Sequence, residues 1–241
     1  MRSPLLLILF VVMNLDVYSQ EKVFNFNSFK VEITNSQLNE YNKDKQVVYT
    51  KYFRSPHDFA LDLDGDGTYE YLVSDSYTDS GKTFYVLYVF NTFDSLSLAD
   101  SIMSGLVEPY EINSTETGGP IIVSGNPNFD SLNIDSEDVF LPINCWSYKN
   151  GKLSLINNLL YKIFEKQNED IIDYIDNYYL TNKSDCKSAS KIKAAIAAGY
   201  VNYIHSGDKI LARQFIRQYY HCDDSAAFQQ LLDNLLKAKS N

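Results

Sequence analysis

The stretch Asp62-Leu63-Asp64-Gly65-Asp66-Gly67-Thr68-Tyr69-Glu70 places carboxylates at its first, third, fifth and ninth positions, with glycines between them. Glycine lets a backbone curl so that alternate side chains converge instead of pointing apart. Four converging carboxylates repel one another, by about 3 kcal/mol per pair at 5 Å and an effective dielectric near 20. A chain that builds such a loop therefore either leaves it as a solvated acidic turn or closes it around a cation. The ligands are all oxygen and the loop is flexible, which suits calcium better than magnesium or zinc. Asp62, Asp64, Asp66 and Glu70 would supply carboxylate oxygens and Thr68 its carbonyl.

The flanks decide the kind of loop. An EF-hand needs a bidentate Glu at the twelfth position and a helix on each side, and the twelfth position here is Val73. His57-Asp58-Phe59-Ala60-Leu61 before the loop and Tyr69 to Asp75 after it alternate with the period of two that marks strands. The loop therefore joins two strands. Phe59 to Val73 resembles one FG-GAP or VCBS-type repeat, in which strand, acidic loop and strand form part of a β-propeller blade of the integrin-alpha kind. Asp62, Asp64, Asp66, Gly67 and Glu70 fall on the repeat's D-x-D-x-D-G-x-x-D pattern. Glu70 replaces its final Asp, and Thr68 stands where a hydrophobic residue is usual. The resemblance implies a bound calcium ion and covers one repeat only.

The N-terminus bears on the compartment. Met1-Arg2, the apolar run Leu5 to Met13 and Val17-Tyr18-Ser19 have the layout of a signal peptide, 1–19, cleaved to leave Gln20 first. The run is shorter than the ~20 residues of a membrane span, and no Cys follows it to form a lipobox. The expected localisation is secreted or periplasmic. Cleavage removes Arg2 and Asp16 and leaves the formal charge at −10. A surface so acidic disfavours nucleic acid as a partner; the expected ligand is a protein or a carbohydrate, and the chain is not expected to be an integral membrane protein.

The other strand signals are Val23 to Phe26, Phe29 to Ile33 and Val47 to Phe53, expected to pair with the strands of the loop, with Asn35 to Lys45 as a polar connection. Asp79-Ser80-Gly81-Lys82 is a turn before Thr83 to Phe90, so 58–90 reads as a three-stranded meander. Pro120 to Val123 is a short buried strand. Asn150-Gly151 between Val139 to Tyr148 and Lys152 to Ile156 is a hairpin signal, and this hairpin resembles part of a second blade without an acidic loop.

From Asn157 the apolar period changes to three and four. The fold class is therefore α+β, an N-terminal antiparallel β domain over 20–156 followed by a helical domain over 157–241. Asn168-Glu169-Asp170 offers a second helix start inside the first helical stretch. Ser188 or Ser190 could cap the next helix, Asp208 the one after, and Asp223 or Asp224 the last. Of three cysteines, Cys186 and Cys222 could pair, and Cys145 reads as a buried strand residue. His221-Cys222-Asp223-Asp224 lacks a second cluster at zinc spacing.

No motif of a nucleophile elbow, zincin, phosphate loop or dinucleotide site is present. His57 reads as a strand-end residue near the loop, and His205 and His221 as helix-end cations. The sequence points to a non-enzymatic calcium-stabilised binding or structural module. Two alternatives stand beside it: a secreted hydrolase with an unadvertised acidic site, or a helical interaction adaptor. A hydrolase needs a cleft that combines converging carboxylates with shifted protonation, whereas a binding module does not.

Overall fold

The computed structural model describes residues 23–133 and 138–238. The signal peptide expected over 1–19 and Gln20 lie outside the described residues. The described chain is α+β, with three four-stranded antiparallel sheets followed by helices.

The first sheet contains β1 (Val23–Asn25), β2 (Lys30–Thr34), β3 (Gln37–Tyr41) and β4 (Val47–Tyr52) in chain order. Two expectations are corrected here. The polar segment 35–45 contains β3, because Leu38 and Glu40 point inward while Gln37, Asn39 and Tyr41 stay partly exposed. A turn with positive φ at both Asn35 and Ser36 makes the β2–β3 hairpin, a backbone that matches strand twist. The strands of 23–53 also do not pair with those of the acidic loop; they form their own sheet and pack on it face to face.

The second sheet is β5 (Pro56–Leu61), β6 (Glu70–Asp79), β7 (Lys82–Asn91) and β8 (Ser97–Gly105). The meander thus has a fourth strand where the sequence suggested three. The third sheet is β9 (Tyr110–Ser114), β10 (Gly119–Gly125), β11 (Ile143–Lys149) and β12 (Lys152–Leu155). Asn150-Gly151, both at positive φ, turns β11 into β12 as expected.

Side-chain alternation stacks these sheets. Tyr71, Val73 and Phe90 of the middle sheet meet Val31, Leu38 and Phe53 of the first. Leu72, Leu87, Val89 and Ile102 point the other way, against Ile122 and Tyr148 of the third. The far face of the third sheet, with Ile121, Val123, Ile143 and Cys145, packs on Leu160 and Phe164 at the start of the helices. Cys145 is buried and free, and burial pushes its thiol up to about 12.

The helices are α1 (Tyr161–Thr181), α2 (Cys186–Lys191), α3 (Lys193–His205), α4 (Lys209–Tyr219) and α5 (Ser225–Lys237). Asn168 does not start a new helix: it is buried within α1, and its amide donates to the Gly199 carbonyl of α3 at 3.3 Å. Ser188 and Ser190 do not cap the helix that follows them: they lie inside α2, which Asp185 caps by accepting the Ser188 N–H at 2.8 Å, and α3 starts after Ile192 with no side-chain cap. Asp208 caps α4 as expected, accepting from Ile210 and Leu211. Asp224 precedes α5, but its carboxylate is taken by Lys193 and the Tyr220 hydroxyl. A disulfide joins Cys186 to Cys222. The helical core includes Leu106, Phe129 and Leu141 from the β part, so the two regions share packing. Among the described residues no helix is long and apolar enough to cross a membrane.

Gly199 sets the approach of α3 to α4. A Cβ there would lie 2.5 Å from Cζ of Phe215, which is only 4% exposed. Alanine is intrinsically the better helix former by about 1 kcal/mol, but overpacking a core costs about 1–3 kcal/mol. Gly199→Ala is expected to lower the urea midpoint, and adding it to Phe215→Leu should cost nothing further. Equal losses in both backgrounds would show that Phe215 is not what the glycine accommodates.

Candidate metal centre

The acidic loop is the connection between β5 and β6, whose last paired residues are Leu61 and Glu70. Leu63 pins it from inside: its side chain is buried in the core between the second and third sheets, and its N–H donates to Glu70 Oε2 at 2.9 Å. The remaining carboxylates are aimed by the loop's own backbone. Asp62 accepts the N–H groups of Gly65 and Gly67 at 2.8 and 3.0 Å, Asp64 that of Asp66 at 3.3 Å, and Asp66 that of Thr68 at 2.6 Å. Gly67 holds φ at +87°, where a side chain would be strained.

Asp62, Asp64 and Glu70 each bring an oxygen within 4.8 Å of the others. Asp66 and Thr68, the two other candidates, are not part of that triad; with Asp64 and Glu70 they line a cleft of about 490 Å³. Its opposite wall was not legible beforehand. It comes from Asn91, Thr92 and Phe93 after β7 and from Tyr148 and Asn150 of the β11–β12 hairpin. The Tyr148 hydroxyl donates to Asn91 Oδ1, and the Thr92 hydroxyl donates to the Tyr69 carbonyl at the end of the loop. The Asn150-Gly151 turn was the one available signal for this wall, but nothing in the sequence placed it beside the loop.

No lysine or arginine is among the described residues lining this cleft. Glu70 is 5% exposed, and its carboxyl is pushed up to about 7 by burial, against the Leu63 hydrogen bond and with the help of Asp64 and Asp66. A buried carboxyl among carboxylates, with oxygen the only donor atom, fits a hard divalent cation, which would replace the missing countercharge. The same cleft combines converging carboxylates with shifted protonation, the combination set out above for a hydrolase.

The histidines stand apart. His57, near the start of β5, sits at the end of the strand away from the loop, exposed, with Nδ1 3.6 Å from Glu108 Oε1. His221 is exposed, beyond the end of α4. His205 does end α3, but not as a cation. Its Nδ1 lies 3.1 Å from the Ile143 carbonyl and 3.0 Å from the Asn157 amide, its ring against Phe164. Burial pushes its pKa down from 6.5 to about 4.

Comparison with protein-family models, with curated proteins and with solved structures found no match. Fold and site therefore rest on this chain alone.

Two outcomes follow. Asp64 is exposed, so solvent screens its repulsion, and Asp64→Asn, which keeps the oxygen facing the Asp66 N–H, should stabilise the chelated protein by about 1 kcal/mol. Denaturation in EDTA measures this, and a loss of stability would mean that the carboxylates do not strain the loop. For His205, the unfolded chain takes up the proton first. Its contribution is nil above pH 6.5, and stability is lost as pH falls toward about 4, by about 3 kcal/mol in all. Urea titrations of wild type and His205→Gln should diverge over that window; parallel curves would show that His205 is not buried neutral.

Proposed function

We propose that this is a secreted or periplasmic calcium-binding protein, a non-enzymatic binding or structural module of stacked, propeller-blade-like sheets. Calcium is held by Asp62, Asp64 and Glu70, with Asp66 and the Thr68 carbonyl completing the set expected from the repeat. The observation that carries the reading is the convergence of three carboxylate oxygens within 4.8 Å on a loop between two strands. An exported location is supported by the Cys186–Cys222 disulfide, since such bonds persist in oxidising compartments. The stacking of three four-stranded meanders supports the blade-like reading.

The raised Glu70 carboxyl favours a second reading, a hydrolase using Glu70 as general acid and Asp64 as its partner. Access weighs against it. Glu70 is almost wholly buried and spends one oxygen on Leu63, whereas a general acid must reach the leaving-group oxygen of a bound substrate. A bound ion needs no such access.

Thermal unfolding in EDTA, magnesium and calcium decides between them. A site of about 10 μM affinity in 1 mM calcium adds about 2.7 kcal/mol, which for a chain of this size raises the midpoint by about 5–10 °C. Calcium should produce that rise, magnesium much less, and Asp64→Ala none. No shift with any cation, together with turnover of chromogenic glycosides or esters in EDTA that Glu70→Gln abolishes, would replace this reading with the hydrolase.

A further inference from the structure

A second cleft opens between the middle and third sheets, farther along β8 than the first cleft, which reaches that strand at Ser97. It holds about 430 Å³ and is lined by Asp100, Ile102 and Met103 from β8 and by Asn144, Trp146 and Leu153 from β11 and β12. That volume falls within the range of small-ligand sites. The side chains divide by chemistry. Trp146, Ile102 and Leu153 are apolar, and the single polar atom of the indole is already used, Nε1 donating to Ser124 Oγ at 2.9 Å. What Trp146 has left to offer is the face of its ring.

The polar groups are fixed in place. Asp100 accepts the Ser101 N–H on Oδ1 at 2.8 Å and the Leu153 N–H on Oδ2 at 2.9 Å. Those bonds hold the carboxylate rigid across the two sheets, and each oxygen keeps a lone pair. Asn144 is 6% exposed, and its Oδ1 accepts from Asn157 Nδ2 at 3.2 Å. Its NH₂ has no protein partner among the described residues. That NH₂ is not a sealed-in orphan: it is reachable from the cleft that Asn144 lines, and is free to donate to a ligand there.

We propose that this cleft binds one residue of a neutral sugar. A pyranose ring has an apolar C–H face and a rim of hydroxyls, each both donor and acceptor. The C–H face would lie on Trp146, one hydroxyl would donate to Asp100, and a neighbouring hydroxyl would accept from the Asn144 amide. Charge selects neutral ligands: no lysine or arginine is among the described residues lining the cleft to take an anion, and both Asp100 oxygens are already engaged by N–H groups, which weakens its call on a cation. The inference rests on reading the protein as a binding module, and it uses none of the acidic-loop residues.

Trp146 is the only tryptophan in the sequence and lines this cleft, so at a fixed calcium level a change in its fluorescence on adding ligand reads binding here. The full exported chain is titrated with the methyl glycosides of glucose, galactose, mannose and N-acetylglucosamine, and with tetralysine, in calcium and again in EDTA. At least one glycoside should shift or quench the emission saturably, and tetralysine should not. Asp100→Asn, which leaves an acceptor for one backbone amide, and Asn144→Leu should each weaken binding about tenfold, the worth of one hydrogen bond. A cooperative thermal transition in EDTA, read on the same samples, verifies that each variant is folded, and the calcium shift of its midpoint reports separately on the loop. Silence toward all four glycosides, a response to tetralysine alone, or unchanged affinity in a folded Asp100→Asn overturns the inference. With the calcium shift intact, that failure would leave the calcium reading standing.

Discussion

The middle sheet is buried on both faces, and the rest of the molecule is arranged by that constraint. Glu70 to Ser74 at the start of β6 are all buried, so successive residues must satisfy two different cores. Tyr71 and Val73 meet the first sheet, and Leu72 meets the third. A sheet with one wet face reads as alternating apolar and polar residues; one with two dry faces reads as a continuous run. The run Tyr71-Leu72-Val73 is therefore what demands a neighbour on each side. The four-layer order, first sheet, middle sheet, third sheet and then α1, follows from it.

Each outer layer answers its own demand differently. The first sheet turns a polar face outward, with Lys30, Glu32 and Thr34 linked along β2 and with Gln37 and Thr50 both donating to Asn39. The third sheet has a second apolar face, Ile121, Val123, Ile143 and Cys145, and needs the helices to cover it. The junction is sealed by side-chain amides. Asn157 accepts the Cys145 N–H at 2.7 Å and donates to Asn144, which satisfies backbone polarity where the chain leaves the sheet. His205 joins that junction as a neutral ring, since a charge there would have to be desolvated.

What was legible in the sequence is what depends on local chemistry. The Asn150-Gly151 hairpin, the change of period near Asn157 and the Asp208 cap are each carried by residues within a few positions of one another, and the structure has them. The strand Gln37–Tyr41 was hidden because its exposed side chains are amides and a tyrosine, and because Asn35-Ser36 is a weaker turn signature than Asn-Gly. The pairing of strands within 23–53 was misassigned for a different reason: alternation tells which face is apolar, not which sheet lies against it. His205 was misread because position at a helix end is visible in sequence while burial is not. For the candidate site, the loop and its carboxylates could be read directly. The opposing wall, Asn91, Phe93 and Tyr148, could not, because it depends on how two sheets stack.

That stacking bears on what an ion in the loop would do. A cation held by exposed carboxylates alone would order a turn and little else, since surface electrostatics is screened. Here the loop is tied inward at two points. Leu63 is both a core residue of the interface between the middle and third sheets and the donor to Glu70, and Glu70 is the first residue of the doubly buried strand. Thr92 fastens the far end of the loop to the end of β7. Fixing Glu70 as an ionised ligand would therefore remove an uncompensated buried carboxyl from the edge of the core and hold Leu63 in its seat. On the calcium reading the ion stabilises the contact between two sheets, and its effect should appear in global unfolding instead of being confined to the loop.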